Sequence, residues 1–115
     1  LATLAPAEVE TVWARSCPRK LTGRTVTDLP HLQAQLEEVR ANGYAIDDEE
    51  NELGVRCVAV AIPGADGRAE TAFSISGRAP YMTAERIRRI AALALECRTD
   101  ILADLGIARR SAARE

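Results

Sequence analysis

The sequence predicts an α+β domain in which an antiparallel sheet of three strands is flanked by helices. Residues 44–47 alternate between two sides, residues 55–62 are rich in Val and Ile, and an Asp66-Gly67 pair connects them to a returning segment, 68–76. Elsewhere, apolar residues recur every three to four positions in three segments, as they do on one face of a helix. The resulting order is helix, helix, strand, strand, strand, helix, which is typical of an α+β fold.

The first helix is predicted between two prolines. Pro6 suits the first helical position, where the amide has no partner in the helix, and Pro18 cannot continue the helix. The apolar face of this helix comprises Val9, Val12 and Trp13.

The second helix has signals at both ends. Asp28 can accept a hydrogen bond from the first turn, and Gly43 follows Arg40 in the last turn as a left-handed terminating residue. Its apolar positions are Leu29, Leu32, Leu36 and Val39.

The third helix is the longest, from a Thr83 cap to Gly106. Arg86, Arg88 and Arg89 are expected on its solvated face, and residues 108–115 are expected to form a frayed tail. Its apolar positions are Ile87, Ile90, Ala91, Ala94, Cys97, Ile101, Leu102 and Leu105.

The two faces of the predicted hairpin differ in side-chain size. A two-residue loop at Asp66-Gly67 would place Ala65 opposite Arg68. One face then pairs bulky residues and should pack against a helix: Val58 with Ile75, Val60 with Phe73 and Ile62 with Thr71. The other face pairs small residues: Ala61 with Ala72, Ala59 with Ser74 and Cys57 with Ser76.

The small-residue face suggests a binding site. Protein interiors contain few voids, so the space above it must be filled by backbone, by a loop or by a ligand. The thiol of Cys57 and the hydroxyls of Ser74 and Ser76 can converge on one acceptor group. Asp47 would join them if its strand lies alongside, which suits a small acid that also carries a hydroxyl or a hydrated carbonyl.

Composition excludes several other classes. A net charge of −2 and four aromatic residues argue against nucleic-acid binding by this chain. Residues 57–65 are the longest run without an ionisable side chain other than cysteine, far short of the about 20 needed to span a membrane. With no signal-peptide pattern, a cytoplasmic location is expected.

No metal, cofactor or catalytic residue is predicted. The three cysteines form no metal-binding motif and are interpreted as reduced thiols. His31 is expected to be exposed, and the acidic segment 48–53 is interpreted as a solvated turn, since it lacks calcium-loop spacing.

The stretch from Gly43 to Gly77 resembles the effector-binding domain of the IclR family of bacterial transcriptional regulators. The resemblance is carried by four motifs: GYAIDDEE at 43–50, GVRCVA at 54–59, Asp66-Gly67, and SISG at 74–77. It implies a GAF-like fold that binds a small organic acid on its sheet. The family's ligand-contacting side chains fall on Asp47, Cys57, Ser74 and Ser76.

The resemblance also implies how this chain relates to a whole regulator. Residues 1–107 correspond to part of the effector-binding domain, and the family's winged helix-turn-helix, which binds DNA, is expected to be absent. A loop whose backbone amides help to hold the ligand is expected to be missing too. The resemblance further implies a homodimer or tetramer.

Two alternatives remain at this stage. One is a GAF-like enzyme that uses Cys57 as a reactive thiol, which would require rapid alkylation of that residue. The other is a pure dimerisation module whose small-residue face is dry and filled. In that case no small acid would bind.

Overall fold

The computed structural model describes residues 1–106, and over that range the order of elements is the predicted one. The α+β prediction is confirmed, whereas the predicted tail at 108–115 lies outside the described residues. The elements are α1 (Pro6–Ser16), α2 (Leu29–Asn42), β1 (Ala45–Asp48), β2 (Val55–Pro63), β3 (Ala69–Arg78) and α3 (Ala84–Asp104).

The helix ends are formed by the predicted residues. The Asp28 carboxylate accepts a hydrogen bond from the His31 amide at 2.9 Å, and the Thr83 hydroxyl accepts one from the Arg86 amide at 3.2 Å. Gly43 ends α2 with φ of 86°, and its amide donates to the Val39 carbonyl at 2.7 Å. Glycine adopts this left-handed conformation without steric cost, which explains its place there.

The sheet has the order β1-β2-β3, and both strand pairs are antiparallel. Val58 at its centre lies between Ile46 and Ile75, while Cys57 lies between Asp47 and Ser76. All six predicted pairs between β2 and β3 are present, so the predicted register is confirmed.

The turn between β2 and β3 differs from the prediction. The Gly64 amide donates to the Arg68 carbonyl at 2.8 Å, so the loop has three residues and the expected Ala65–Arg68 pair does not form. Gly67, at φ of 83°, supplies the left-handed residue of this loop type. The extra loop residue by itself would shift the pairing of β2 with β3 by one residue. A bulge beside Pro63 corrects this shift, because Glu70 is an additional residue on β3.

The core lies between α3 and the bulky face of the sheet. Val58 is fully buried and contacts a cluster formed with Met82, Ile87 and Ala91, against which Tyr44 also packs. This packing orients the sheet, because it leaves the small-residue face directed away from α3.

Three apolar positions predicted on the helix faces are exposed. Cys97 is exposed, since six residues of helix carry it about 120° around the axis from the buried Ala91. Leu105 is 62% exposed because it follows the end of α3. Val12 is 41% exposed although Val9, on the same helix, is buried.

Gly77 is required by a close approach of Met82. A Cβ atom at Gly77 would lie 2.9 Å from both Cγ and Sδ of Met82, which is itself buried. Gly77→Ala is therefore expected to lower the free energy of unfolding by about 1–3 kcal/mol, the usual cost of overpacking. Urea denaturation would measure this loss.

A double-mutant cycle with Met82→Ala provides the control for Gly77→Ala. Once the Met82 side chain is shortened, the added methyl group has room, so the two changes should couple by about 1 kcal/mol or more. Strictly additive effects would contradict the steric explanation.

Candidate functional site

Four polar side chains form a cluster on the small-residue face of the sheet. Asp47, Cys57 and Ser76 occupy one row across the three strands, and directly opposed residues point to the same face. Ser74 lies in the next row, opposite Ala59. We call Asp47, Cys57, Ser74 and Ser76 the polar cluster.

One short contact joins two members of the polar cluster. Cys57 Sγ lies 3.0 Å from Ser76 Oγ, so one of the two groups donates a hydrogen bond to the other. Cys57 and Asp47 are half-buried, whereas Ser74 and Ser76 are exposed. The cluster is therefore accessible to a ligand from the β3 side.

Asp47 is oriented by the turn that follows β1. Its Oδ1 accepts a hydrogen bond from the Glu50 amide at 2.9 Å. The carbonyls of Glu49 and Glu50 accept hydrogen bonds from the hydroxyls of Thr22, at 2.6 Å, and of Thr25. These contacts come from the segment between α1 and α2, so distant parts of the chain position the carboxylate.

The first half of the acidic segment 48–53 is less solvated than expected, whereas residues 51–53 are exposed. Residues 47–50 are half-buried, and the Glu49 carboxylate accepts a hydrogen bond from the Gly54 amide at 2.8 Å. Within residues 1–106, no group of three or more His, Cys, Asp or Glu side chains is arranged to hold a metal ion.

Arg56 anchors the sheet on the opposite face from the polar cluster. Its Nε donates to Asp48 Oδ1 at 2.7 Å, and its Nη1 donates to the carbonyls of Ala79 and Met82 at 3.0 and 3.2 Å. The hydrogen bond to Asp48 raises the pKa of Arg56 above its ordinary value, so the guanidinium stays charged. This network joins β1 and β2 to the turn before α3.

A cavity of about 340 Å³ lies over the other end of the small-residue face. We call it the alanine cavity, because its sheet side is lined by Ala45, Ala59, Ala61 and Ala72. Ala59 is two residues from Cys57 on the same strand, about 7 Å away. The alanine cavity and the polar cluster thus adjoin on one face and share the row that contains Ala59 and Ser74.

The other walls of the alanine cavity come from distant segments. Leu36 and Val39 of α2 line it, together with Leu1–Thr3. Residues 1–3 are held in place because Arg40 Nε donates to the Ala2 carbonyl at 2.9 Å and the Thr3 hydroxyl accepts from the Ala69 amide at 3.0 Å. The apolar pattern of α2 signals Leu36 and Val39, but no local pattern signals Leu1–Thr3.

The remaining candidate residues lie away from this face. His31 is exposed in the first turn of α2, as predicted, with Nδ1 4.0 Å from Asp28. Arg86, Arg88 and Arg89 are also exposed, as predicted. Among residues 1–106, no helix is long and apolar enough to cross a membrane.

Comparison with known proteins identifies the family. A family model described as bacterial transcriptional regulator IclR C-terminal matches residues 1–103. The HTH-type transcriptional repressor AllR of Klebsiella pneumoniae is 36% identical over 104 residues, which are 90% of this chain and 38% of that protein.

Solved structures agree with this match. Thermotoga maritima IclR superposes with a TM-score of 0.86 and 33% identity, covering 91% of this chain and 42% of that chain. The C-terminal domain of the Escherichia coli transcriptional regulator KdgR superposes with a TM-score of 0.85 and 31% identity, covering 92% of this chain and 65% of that one.

These relatives are transcriptional regulators, and the chain spans less than half the length of AllR and of Thermotoga maritima IclR. The match extends over nearly all of the described residues and includes both the polar cluster and the alanine cavity. The chain belongs to the IclR family of bacterial transcriptional regulators, within the C-terminal domain of that family.

Proposed function

We propose that this chain is the effector-sensing part of a cytoplasmic transcriptional regulator and that it binds a small organic acid at the polar cluster. In this proposal residues 1–107 form part of an effector-binding domain without catalytic activity, and DNA is bound by a winged helix-turn-helix outside this chain. One observation carries the proposal: four hydrogen-bonding side chains adjoin a cavity on the same face of the sheet.

The neutral donors of the polar cluster suit a carboxylate. Each hydroxyl or thiol has one hydrogen to donate, and a carboxylate can accept several hydrogen bonds at once. Because Cys57 and Ser76 already share one hydrogen bond, one of their hydrogens remains for the ligand, together with that of Ser74. A hydrogen bond to a charged acceptor contributes about 1.5–3 kcal/mol, so loss of the serine hydroxyls should weaken binding strongly.

Asp47 selects for a second functional group on the ligand. Its carboxylate repels a bare anion, but it can accept a hydrogen bond from a hydroxyl or a hydrated carbonyl beside the acid group. The Glu50 amide holds Asp47 in this row, so the acceptor is oriented before the ligand binds. Hydroxy and oxo acids are therefore expected to bind better than simple carboxylic acids.

The alanine cavity provides room for the remainder of the effector. Its lining is mostly apolar, and it begins one row beyond Cys57 and Ser76. Effector binding can regulate DNA binding only if the ligand has different affinities for two arrangements of the longer protein.

A thermal-shift screen of the 115-residue chain tests the proposal, with glyoxylate, lactate and 3-hydroxybenzoate as probes. A ligand at one hundred times its Kd should stabilise the domain by about 2.7 kcal/mol, which corresponds to a rise in Tm on the order of 10 °C. In the Ser74→Ala/Ser76→Ala variant this rise should disappear.

Two further variants separate donor chemistry from general disturbance. Cys57→Ser retains a donor and should retain most of the shift, whereas Cys57→Val removes the donor and should reduce it. Ser16→Ala, on the exposed end of α1, is the matched control and should leave the shift unchanged. A full shift in the Ser74→Ala/Ser76→Ala variant would show that the acid binds elsewhere.

A further inference from the structure

The charged side chains around the alanine cavity are all basic. Two of its lining residues, Arg40 and Arg98, have charged side chains, and no acidic residue of the described part of the chain lines it. The rest of the lining is apolar or uncharged. Such a cavity attracts an anionic group, because apolar walls exclude water and so reduce the screening of the arginine charges.

Arg98 reaches the alanine cavity at a gap in the sheet. β1 begins at Ala45, opposite Ala59, so β2 has no β1 partner from Val60 onward. α3 packs on the bulky face, and the Arg98 side chain extends from α3 to this open edge. Its Nη1 donates to the Gly43 carbonyl at 3.3 Å, and a Cβ atom at Gly43 would lie 3.6 Å from its Nη2. The guanidinium is thus held beside the start of β1, at the end of the cavity away from the polar cluster.

Arg98 has hydrogen-bonding capacity that the fold leaves unused. A guanidinium has five N–H donors, and within residues 1–106 the Arg98 side chain makes one hydrogen bond. It is half-buried, and it forms no ion pair with any carboxylate of that range. Arg40 differs, since its Nε donates to the Ala2 carbonyl and its Nη1 pairs with Glu37 at 3.0 Å. Arg98 is therefore the cation that a ligand can engage.

We propose that Arg98 binds a second acidic group of the effector, so that the ligand is a hydroxy or oxo dicarboxylic acid of about six carbons. This inference rests on the proposed function, which places the hydroxy-acid or oxo-acid end at the polar cluster. The carbon chain then lies along the alanine cavity, and the second carboxylate reaches Arg98. Arginine suits this role because its planar guanidinium can donate two parallel hydrogen bonds to one carboxylate.

The distance between the two ends of the site sets the length of the ligand. The register of β1 with β2, continued past Ala45, places Gly43 beside Ala61. Ala61 is about 13 Å from Cys57 along β2. An extended chain of about six carbons separates its terminal carbons by about 6 Å. With a charge-assisted hydrogen bond of about 2.8 Å at each end, such a diacid bridges roughly 12–14 Å. Glyoxylate and lactate are too short to reach Arg98 from the polar cluster.

Isothermal titration of the 115-residue chain with two matched acids tests the proposal. 2-Hydroxyadipate and 2-hydroxyhexanoate share the same carbon chain and the same hydroxy-acid end, but only 2-hydroxyadipate has a second carboxylate. 2-Hydroxyadipate should bind at least about tenfold more tightly, equivalent to about 1.4 kcal/mol. This advantage should decrease as the salt concentration is raised, because salt screens the attraction between Arg98 and the second carboxylate.

Arg98→Met should lower the affinity for 2-hydroxyadipate to about that for 2-hydroxyhexanoate, which itself should change by less than about twofold. Arg98→Lys retains the charge but not the planar guanidinium, so it should keep part of the advantage. Arg88→Met, on the exposed side of α3, is the matched control and should leave both affinities unchanged. Because 2-hydroxyhexanoate does not reach Arg98 with a carboxylate, its retained affinity shows that Arg98→Met is folded.

The outcomes separate this inference from the proposed function. Equal affinities of the two acids in the unmodified chain, both lost in Ser74→Ala/Ser76→Ala, would overturn the role of Arg98 and leave the proposed function intact. The same conclusion would follow if neither acid bound while glyoxylate or lactate did, or if Arg98→Met weakened both acids equally. Tight binding of 2-hydroxyadipate that persists in Ser74→Ala/Ser76→Ala would overturn both, since the inference places the first carboxylate at the polar cluster.

Discussion

Val58→Asp is expected to remove a large part of the folding stability of the chain at neutral pH. Val58 is 0% exposed and lies in the centre of the sheet, against Met82, Ile87 and Ala91. A carboxylate there would lie among apolar side chains, and an uncompensated buried charge typically costs about 3–5 kcal/mol. Loss of the buried valine side chain adds about 1.5–3 kcal/mol. Since domains of this size are stable by only about 5–15 kcal/mol, a large part of that stability would be lost. Urea denaturation followed by circular dichroism would measure the loss.

Ile46→Asp is the control for Val58→Asp. Ile46 lies directly opposite Val58 on β1 and on the same face, but it is 42% exposed at the edge of the sheet. A carboxylate there remains hydrated, so the change should cost no more than about 1 kcal/mol. Equal losses in the two variants would refute the assignment of Val58 to the centre of the core.

Ala59→Leu is expected to abolish effector binding while the domain remains folded. Ala59 follows Val58 on β2, so its side chain points to the face opposite that of Val58. There it lines the alanine cavity beside the polar cluster. A leucine side chain there occupies the space proposed for the ligand. We expect at least about a hundredfold loss of affinity, equivalent to about 2.7 kcal/mol. Isothermal titration with an acid identified in the thermal-shift screen would measure the loss.

The stability of the Ala59→Leu variant distinguishes a blocked site from a damaged fold. Filling an existing cavity should leave the Tm unchanged or raise it. Ala14→Leu, on the exposed surface of α1, adds the same atoms elsewhere and should leave affinity unchanged. If Ala59→Leu binds the acid as tightly as the unmodified chain, the alanine cavity does not hold the ligand.

The polar cluster shows which features of the site strand periodicity can predict. Cys57, Ser74 and Ser76 share a face because side chains alternate along a strand, and this alternation is visible in the sequence. The register was predicted correctly although the loop length was not. The bulge at Glu70 compensates for the third loop residue, and no side chain in the sequence signals a bulge there.

Local sequence pattern alone determines the identity and order of the helices and strands. It also determines the separation of bulky from small side chains on the sheet. Caps, turns and periodicity act between residues close in the chain. Local pattern does not determine the walls of the alanine cavity, the orientation of Asp47 or the exposure of Cys97. They depend on where Leu1–Thr3, Thr22 and the bulky sheet face come to lie, and packing between distant segments sets those positions.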